Sequence, residues 1–223
     1  MSAAAPAGWT VVVPVKHTSH GESRLRADAQ LARAIALDTL ERIAAARRVE
    51  RIVLVTSDAA LADAAREQIT SAAVDVVAEE TAAPESVRTA RADRADAVEH
   101  ALNDAVRAGL NSVGGGFVAV IHADLPALHP DDLDAALLLA ADIPYGAVSD
   151  SEGVGTVMLT AQHPHALQPS FGHDSFARHL AAGATPLAAA PSLRRDVDTP
   201  VQLNAARDAP ELTLGPRTRA LTG

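Results

Sequence analysis

Short runs of β-branched and aliphatic residues alternate along the chain with longer, alanine-rich stretches of helical periodicity. Each short run has the length of a strand, and the stretches between them are long enough for helices that cross from one strand to the next. This alternation predicts an α/β fold with a mostly parallel sheet. The strands that it predicts in the first half of the chain are Thr10–Val15, Arg51–Thr56, Val74–Ala78 and Phe117–His122.

The same pattern predicts the helices and the second half of the chain. A helix is expected over 28–47, because its aliphatic residues recur near one face: Leu31, Ile35, Leu40 and Ile43. Further elements are predicted in the second half: strands at Tyr145–Val148, Thr156–Thr160 and around Leu193–Val197, and a helix near Ser175–Ala182. The last helix is expected to begin after Thr199, which offers an N-cap followed by proline and, at the third helical position, glutamine.

Composition narrows the class of protein. The 223 residues suffice for one large core, and we expect a single domain over 1–223. The net charge of -9 argues against a nucleic-acid partner, since phosphate backbones need a broad basic surface. Absence of cysteine excludes disulfides and is compatible with a reducing cytoplasm. No apolar run approaches the ~20 residues of a membrane helix, so we expect a cytoplasmic protein with no membrane partner.

The opening stretch, VPVKHTSHGESRL, contains the first candidate site. An apolar strand runs directly into a loop that holds Lys16, two histidines and Arg24. Local convergence of cations can bind a small anion even when the whole protein is acidic. The loop is therefore either a solvated turn or a cradle for phosphate.

Asp124 is the second candidate. It follows the apolar run of VAVIHADLP, which is typical of a buried central strand, and a proline follows two residues later. Open α/β sheets bind their ligands beyond the carboxyl ends of such strands. The alternative is that Asp124 only caps the turn.

Asp196 and Asp198 form the third candidate, in the stretch RRDVDTP. Residues two apart in an extended segment project from the same face, so these carboxylates would repel each other unless a positive group lies between them. Mg²⁺ is commonly held by one or two carboxylates together with substrate phosphates. With Asp124 as a third ligand, we favour a metal site. The alternatives are that Arg194 or Arg195 neutralises the pair, or that Asp198 caps the following helix.

The fourth candidate is the stretch FGHDS, where Gly172 and Ser175 immediately precede a predicted helix. The first N–H groups of a helix have no internal partners, and glycine permits close approach, so this position suits a phosphate or carboxylate. Alternatively, Asp174 or Ser175 is simply an N-cap. Thr156, at the start of a predicted strand, could line the same pocket.

Taken in order, the motifs VPVK, SRL, ADLPAL, GT, FGHDS and RRDVDTP resemble the 2-phospho-L-lactate or phosphoenolpyruvate guanylyltransferases of coenzyme F420 biosynthesis. The resemblance spans nearly the whole chain. It implies a three-layer α/β/α sandwich with a Rossmann-like, mostly parallel sheet, the nucleotide-diphospho-sugar transferase type that molybdenum-cofactor guanylyltransferases share. It also implies a Mg²⁺-dependent enzyme that transfers GMP from GTP to a three-carbon phosphoacid and releases pyrophosphate.

The resemblance also implies roles for the candidate residues. Lys16, Arg24 and Asp124 would be catalytic, with the two cations facing the triphosphate. Mg²⁺ would be held by three carboxylates: Asp124, Asp196 and Asp198. The acceptor would be bound by Thr156, Gly172 and Ser175. The expected partners are GTP and either phosphoenolpyruvate or 2-phospho-L-lactate, and a homodimer is left open.

The chain departs from the family pattern at two positions. Relatives usually carry a second lysine in the opening loop, where this chain has Glu22. They also carry a Leu-Asn-x-Ala segment before the Asp-Leu-Pro strand; we place its equivalent at AVEHAL, with Glu99 instead of asparagine. An acid beside a triphosphate reverses a favourable interaction. Two alternatives therefore stay open: a transferase that uses another base or acceptor, and a non-catalytic paralogue that binds nucleotide.

Overall fold

A central sheet organises the structure, a computed structural model that describes residues 8–15, 29–78 and 91–222, with the backbone alone over 91–96. Within these ranges the sheet has seven strands in the order β3-β2-β1-β4-β6-β5-β7. The strands are β1 Trp9–Val15, β2 Val49–Thr56, β3 Ala73–Ala78, β4 Val118–Ile121, β5 Tyr145–Ser149, β6 Thr156–Ala161 and β7 Thr185–Pro186.

The strand directions determine where a ligand can bind. β1 runs parallel to both β2 and β4, and β2 runs parallel to β3. β6 is antiparallel to its neighbours β4 and β5. The carboxyl ends of β1 and β4 therefore lie at the same edge of a mostly parallel sheet, which confirms the predicted topology.

Helices cover both faces of the sheet. They are α1 Ala29–Ala44, α2 Ala59–Gln68, α3 Arg91–Asn111, α4 Pro130–Ala140, α5 Ser175–Ala181, α6 Pro191–Arg194, α7 Pro200–Asp208 and α8 Pro216–Thr222. Val11 and Val13 of β1 pack in the cluster that includes α1, α2 and α4, whereas Val12 packs in the cluster that includes α3. This alternation of buried side chains produces the predicted three layers.

The predicted elements agree with the structure except near the C-terminus. The stretch 193–197 is not a strand, because Pro191 begins the short helix α6 and the Arg195 N–H donates to the Pro191 carbonyl. The capping box at Thr199 is confirmed, but α7 is followed by α8 and is not the last helix. Among the described residues, no helix combines the length and the apolar character that crossing a membrane requires.

Candidate functional site

A pocket of about 400 Å³ opens at the edge of the sheet where β1 and β4 end. Val15, the last residue of β1, lines it, as does Asp124 in the loop after β4. Six carboxylates line the pocket: Asp174 immediately precedes α5, and the other five form what we call the acidic side, namely Asp124, Asp150, Glu152, Asp196 and Asp198. Thr156 and Ser175 carry neutral hydroxyl groups and form what we call the hydroxyl side of the pocket. The pocket therefore combines the predicted metal ligands with the predicted acceptor-binding residues, and it adds two carboxylates.

The acidic side is assembled by one backbone contact. The N–H of Val197 donates to the carbonyl oxygen of Asp124 at 2.9 Å, which joins the loop after β4 to the segment after α6. Asp196 and Asp198 flank Val197, so all three predicted metal ligands line one pocket. The structure thus brings together carboxylates from two distant parts of the chain.

Asp150 and Glu152 are additions that the sequence analysis missed. They lie in the turn between β5 and β6, where the Asp150 carboxylate accepts the N–H groups of Val154 at 2.9 Å and Gly155 at 2.6 Å. Burial, with the charges of Asp198, Asp150 and Glu152, raises the pKa of Asp196 to about 6. Among the described lining residues there is no lysine or arginine.

The contacts do not support the alternative roles of the aspartate pair, which are neutralisation by an arginine and capping of the following helix. The raised pKa of Asp196 is the opposite of what pairing with an arginine would produce. Arg194 instead donates to the carbonyl oxygens of Ser149 and Asp150. Thr199, not Asp198, caps α7, because its side chain accepts the Gln202 N–H.

The chemistry of the donors fits a hard cation, since all five groups on the acidic side are carboxylates. Within the described part of the chain, however, no three His, Asp or Glu side chains lie close enough together to hold an ion. Mg²⁺ does not require three protein ligands, because it commonly retains water and takes substrate phosphate oxygens.

On the hydroxyl side both oxygens already accept hydrogen bonds from the protein. Ser175 begins α5, and its buried Oγ accepts the Thr156 N–H at 2.9 Å. The Thr156 Oγ1 lies 2.8 Å from Nδ1 of His179, whose Nε2 accepts the Ser170 N–H at 3.0 Å. Because Nε2 is an acceptor, the proton of the neutral ring is on Nδ1 and is donated to Thr156.

The protonation state of His179 agrees with these contacts. Burial, with the nearby charges of Arg178 and His122, lowers the pKa of His179 to about 4, so the ring is neutral at physiological pH. The Thr156 and Ser175 oxygens are then acceptors within the protein, and their hydroxyl protons can be donated to a ligand in the pocket.

Glycine is required at position 172 because the backbone there lies close to the side chain of Glu99. Its φ is +128°, and an added Cβ would lie 2.0 Å from Cδ of Glu99. The Glu99 Oε1 accepts the N–H of His173 at 2.8 Å. A protein carboxylate therefore already occupies part of the loop that we expected to receive an anionic ligand.

The expectation of unpartnered N–H groups at the start of α5 is wrong. The Ser175 N–H donates to the Gly172 carbonyl, and the Phe176 N–H donates to the Val154 carbonyl. Asp174 is the residue before the helix, but its side chain makes no capping hydrogen bond. Side-chain hydroxyls, rather than the helix N-terminus, are the donors that this side of the pocket offers.

Asn103 corrects our placement of the family's asparagine. The Leu-Asn-x-Ala segment is present as Leu102 to Ala105, one helical turn beyond Glu99 in α3. The side-chain amide of Asn103 accepts the Phe171 N–H at 2.8 Å and donates to the Phe171 carbonyl at 3.0 Å. Asn103 thus anchors the loop before α5, and Glu99 does not replace it.

Lys16, Glu22 and Arg24 lie outside the described residues. Their predicted roles at a triphosphate stay predictions. The described chain before them ends at Val15, which lines the pocket.

Curated relatives are similar in sequence to this chain over nearly its full length. Three relatives are named phosphoenolpyruvate guanylyltransferase. The protein of Salinispora arenicola is 40% identical over 96% of this chain and 94% of its own length. The protein of Geodermatophilus obscurus is 36% identical over 96% of this chain and 94% of its own length. The protein of Streptomyces coelicolor is 37% identical over 96% of this chain and 95% of its own length. No protein-family model matches the chain.

Solved structures agree on the fold. A 4-diphosphocytidyl-2C-methyl-D-erythritol synthase from Anaerococcus prevotii superposes with a TM-score of 0.58 at 9% identity, covering 97% of this chain and 96% of that one. A nucleotidyl transferase from Methanothermobacter thermautotroptrophicus gives 0.55 at 17% identity, with coverage of 90% and 96%. The nucleotidyltransferase fold is thereby confirmed. From the identity to its curated relatives over nearly the full length, the chain belongs to the phosphoenolpyruvate guanylyltransferase family.

Proposed function

We propose that the protein transfers GMP from GTP to phosphoenolpyruvate. A phosphate oxygen of the acceptor forms a bond to the α-phosphorus, the bond from that phosphorus to the α–β bridging oxygen breaks, and pyrophosphate leaves. No covalent intermediate with the protein is needed, since the acceptor supplies the nucleophile. The observation that most supports this proposal is one pocket lined both by carboxylates and by the hydroxyl-bearing residues Thr156 and Ser175.

The acidic side has the role of holding Mg²⁺. Asp124, Asp196 and Asp198 are the candidate ligands, of which one or two would bind the ion directly while water and substrate phosphate complete its shell. A bound cation would favour the charged form of Asp196, whose pKa is raised by burial and by the neighbouring carboxylates. When bound, Mg²⁺ neutralises charge that develops on the phosphate oxygens. The protein's own part is to hold carboxylates from two loops against each other through the contact between Val197 and Asp124.

Lys16 and Arg24 are proposed to face the triphosphate. The described lining carries no lysine or arginine, so cations are needed to offset the charge of a nucleotide beside five carboxylates. Both residues belong to the stretch that follows β1, whose last residue lines the pocket.

The hydroxyl side has the role of binding the acceptor. Thr156 and Ser175 can each donate an O–H to an anionic oxygen, and Gly172 lets the loop before α5 pass close to the site. Phosphoenolpyruvate and 2-phospho-L-lactate both present one phosphate and one carboxylate, so these donors suit either. We place phosphoenolpyruvate first because the relatives are named for it, and we extend the proposal to a step of coenzyme F420 biosynthesis.

Pyrophosphate release tests the proposal. Purified protein is incubated with GTP, Mg²⁺ and phosphoenolpyruvate, and parallel reactions replace GTP by ATP or CTP and the acceptor by 2-phospho-L-lactate. We expect pyrophosphate only when nucleotide and acceptor are both present, and fastest with GTP and phosphoenolpyruvate. Binding of GTP without turnover for either acceptor would instead identify a non-catalytic nucleotide-binding protein.

A further inference from the structure

We propose that His179 is a positioning residue for the acceptor, because its Nδ1–H holds the Thr156 hydroxyl so that the hydroxyl proton is donated into the pocket. This inference rests on the proposed function, in which Thr156 binds the acceptor. His179 itself does not line the pocket. It acts through Thr156, which does.

The two ring nitrogens of His179 have different tasks. Nε2 accepts the backbone N–H of Ser170 at 3.0 Å, a contact that belongs to the loop before α5. Nδ1 lies 2.8 Å from the Thr156 hydroxyl, a contact that belongs to the pocket. The ring is 0% exposed, so water cannot substitute for either partner. One buried side chain therefore couples the loop to the ligand-facing hydroxyl.

The tautomer decides the direction of the Thr156 hydrogen bond. A hydroxyl can donate one proton and can accept at its oxygen. With the Ser170 N–H fixed as a donor to Nε2, Nδ1 must carry the ring proton, and Thr156 must accept it. The Thr156 proton is then available for an anion, which accepts but cannot donate. This arrangement favours a ligand group such as phosphate or carboxylate over a neutral donor.

Packing alone does not account for this arrangement. His179 meets the ring of Phe171 edge-on, with centroids 5.1 Å apart, and an apolar side chain could fill that role. An apolar residue would leave the Thr156 hydroxyl without its donor, and the Ser170 N–H without its acceptor. Separating these two losses distinguishes a positioning role from a structural one.

Two substitutions separate them. In His179→Asn the side-chain amide nitrogen can occupy the place of Nδ1 and keep the contact with Thr156, while the contact with Ser170 is lost. In His179→Gln the amide oxygen can occupy the place of Nε2 and keep Ser170, while the donor to Thr156 is lost. Each variant retains one of the two hydrogen bonds, so both should lose stability to a comparable degree.

Steady-state kinetics give the main readout. We expect His179→Gln to raise the KM for phosphoenolpyruvate about ten-fold while the KM for GTP changes less than about two-fold, the size of a weakened hydrogen bond to a charged group. His179→Asn should keep the acceptor KM within about three-fold of wild type. In a Thr156→Val background, His179→Gln should raise the acceptor KM no further, because the hydroxyl that it positions is gone.

A second measurement does not depend on activity. The ¹⁵N spectrum of the His179 ring, assigned by its loss in His179→Asn, should show a protonated Nδ1 and an unprotonated Nε2. The opposite tautomer overturns the inference even if the kinetic variants fold poorly. Equal impairment by Asn and Gln, or equal changes in both KM values, also overturns it and leaves a structural role. If wild-type protein releases no pyrophosphate with either acceptor, the proposed function itself fails, and the acceptor role of His179 fails with it.

Discussion

The two sides of the pocket are built in opposite ways. The acidic side gathers five carboxylates on turns and loops, and burial, together with the charges of Asp198, Asp150 and Glu152, raises the pKa of Asp196 to about 6. The hydroxyl side has the neutral groups Thr156 and Ser175, with His179 behind Thr156; each is at most 3% exposed and each is hydrogen-bonded to another part of the protein. The described lining of the pocket brings no lysine or arginine to the acidic side, whereas the groups of the hydroxyl side are already hydrogen-bonded before any ligand binds.

This difference separates two ways of contributing to a transfer reaction. A preorganised donor requires little rearrangement when charge appears in front of it, so it contributes through position. A carboxylate cluster contributes by binding a cation, and its effect on phosphate follows only through that cation. We therefore expect substitutions on the acidic side to affect turnover, and those on the hydroxyl side to affect the acceptor constant.

Asp198→Asn should produce the largest effect. The substitution preserves side-chain size but removes one anionic ligand, so we expect Mg²⁺-dependent turnover to fall at least about 100-fold. Circular dichroism and thermal unfolding should show an intact fold. Pyrophosphate release measured across a Mg²⁺ titration checks both points.

Asp142→Asn is the matched control for this prediction. Asp142 is exposed, does not line the pocket, and loses the same charge. Its turnover and Mg²⁺ dependence should equal those of wild type. Normal turnover in Asp198→Asn would remove Asp198 from the metal site and weaken the contrast between the two sides.

Ser175→Ala should act on the acceptor. Loss of a hydrogen bond to a charged ligand costs about 1.5–3 kcal/mol, so we expect the acceptor KM to rise roughly 10- to 100-fold with a smaller change for GTP. Stability should also fall by about 1–3 kcal/mol, because the Thr156 N–H loses its acceptor inside the protein. Paired kinetics and thermal unfolding measure the two effects.

Ser192→Ala separates those effects. The buried Ser192 Oγ accepts the His129 N–H at 3.1 Å and donates to Oδ2 of Asp132 at 2.6 Å, both outside the pocket, so its loss removes a comparable backbone contact together with one to a carboxylate. Stability should fall in both variants, but only Ser175→Ala should raise the acceptor KM. A GTP constant that rises more than the acceptor constant in Ser175→Ala would assign the hydroxyl side to the nucleotide.

The acidic side should also give the metal-free protein a characteristic pH dependence. The pKa of Asp196 is raised from 3.8 to about 6 in the folded state, by burial and by Asp198, Asp150 and Glu152. Between these values the folded protein binds more protons than the unfolded chain, so stability falls as pH rises through about 4 to 6 and stays lower above. Removing the charge of Asp196 should therefore abolish this loss of stability at higher pH.

Asp196→Asn isolates this group from other titrations. In EDTA, the stability of Asp196→Asn relative to wild type should increase across that pH window by on the order of 1–3 kcal/mol. Mg²⁺ added near pH 7 should stabilise wild type more than the variant. Denaturant unfolding at several pH values gives the comparison. Parallel pH profiles for the two proteins would mean that the carboxylates do not interact as placed.

Periodicity was sufficient to predict most of the sheet, because β1, β2 and β4 each contain an uninterrupted apolar run of strand length. It was wrong at 193–197, where the run is too short for a period to separate strand from helix and Pro191 starts α6. That Asp124, Asp196 and Asp198 line one pocket was predictable because strand ends and two-residue spacing have a direct geometric meaning.

The missed residues are those whose roles depend on tertiary contacts. His179, within α5, shows no local sign that its two nitrogens join a strand to a loop. In the sequence, Asp150 and Glu152 have the pattern of an ordinary polar turn. Only the folded structure shows that their charges act on Asp196. Asn103 could have been identified from the sequence, because the Leu-Asn-x-Ala segment is present. We had placed the asparagine position four residues too early, at Glu99.

Glu99 is a charged group beside the loop that leads to the hydroxyl side. Its Oε1 accepts the His173 N–H at 2.8 Å, and its Oε2 lies 3.7 Å from Arg178. A nearby anionic acceptor would be repelled by this carboxylate, although Arg178 and solvent reduce the effect. Glu99→Gln keeps an oxygen for His173 and removes the charge, so it tests whether the hydroxyl side is limited by a neighbouring acid.

We expect Glu99→Gln to lower the acceptor KM by a few-fold, as for a partly exposed charge interaction of about 0.5–1 kcal/mol. The gain should shrink as salt rises from low to high ionic strength, because solvent ions screen the repulsion that the substitution removes. Glu211→Gln, an exposed change of the same charge outside the pocket, should leave the acceptor KM unchanged. A higher acceptor KM in Glu99→Gln would reverse the interpretation: the carboxylate would then be needed to hold the loop through His173 and Arg178, and the hydroxyl side would depend on charge as the acidic side does.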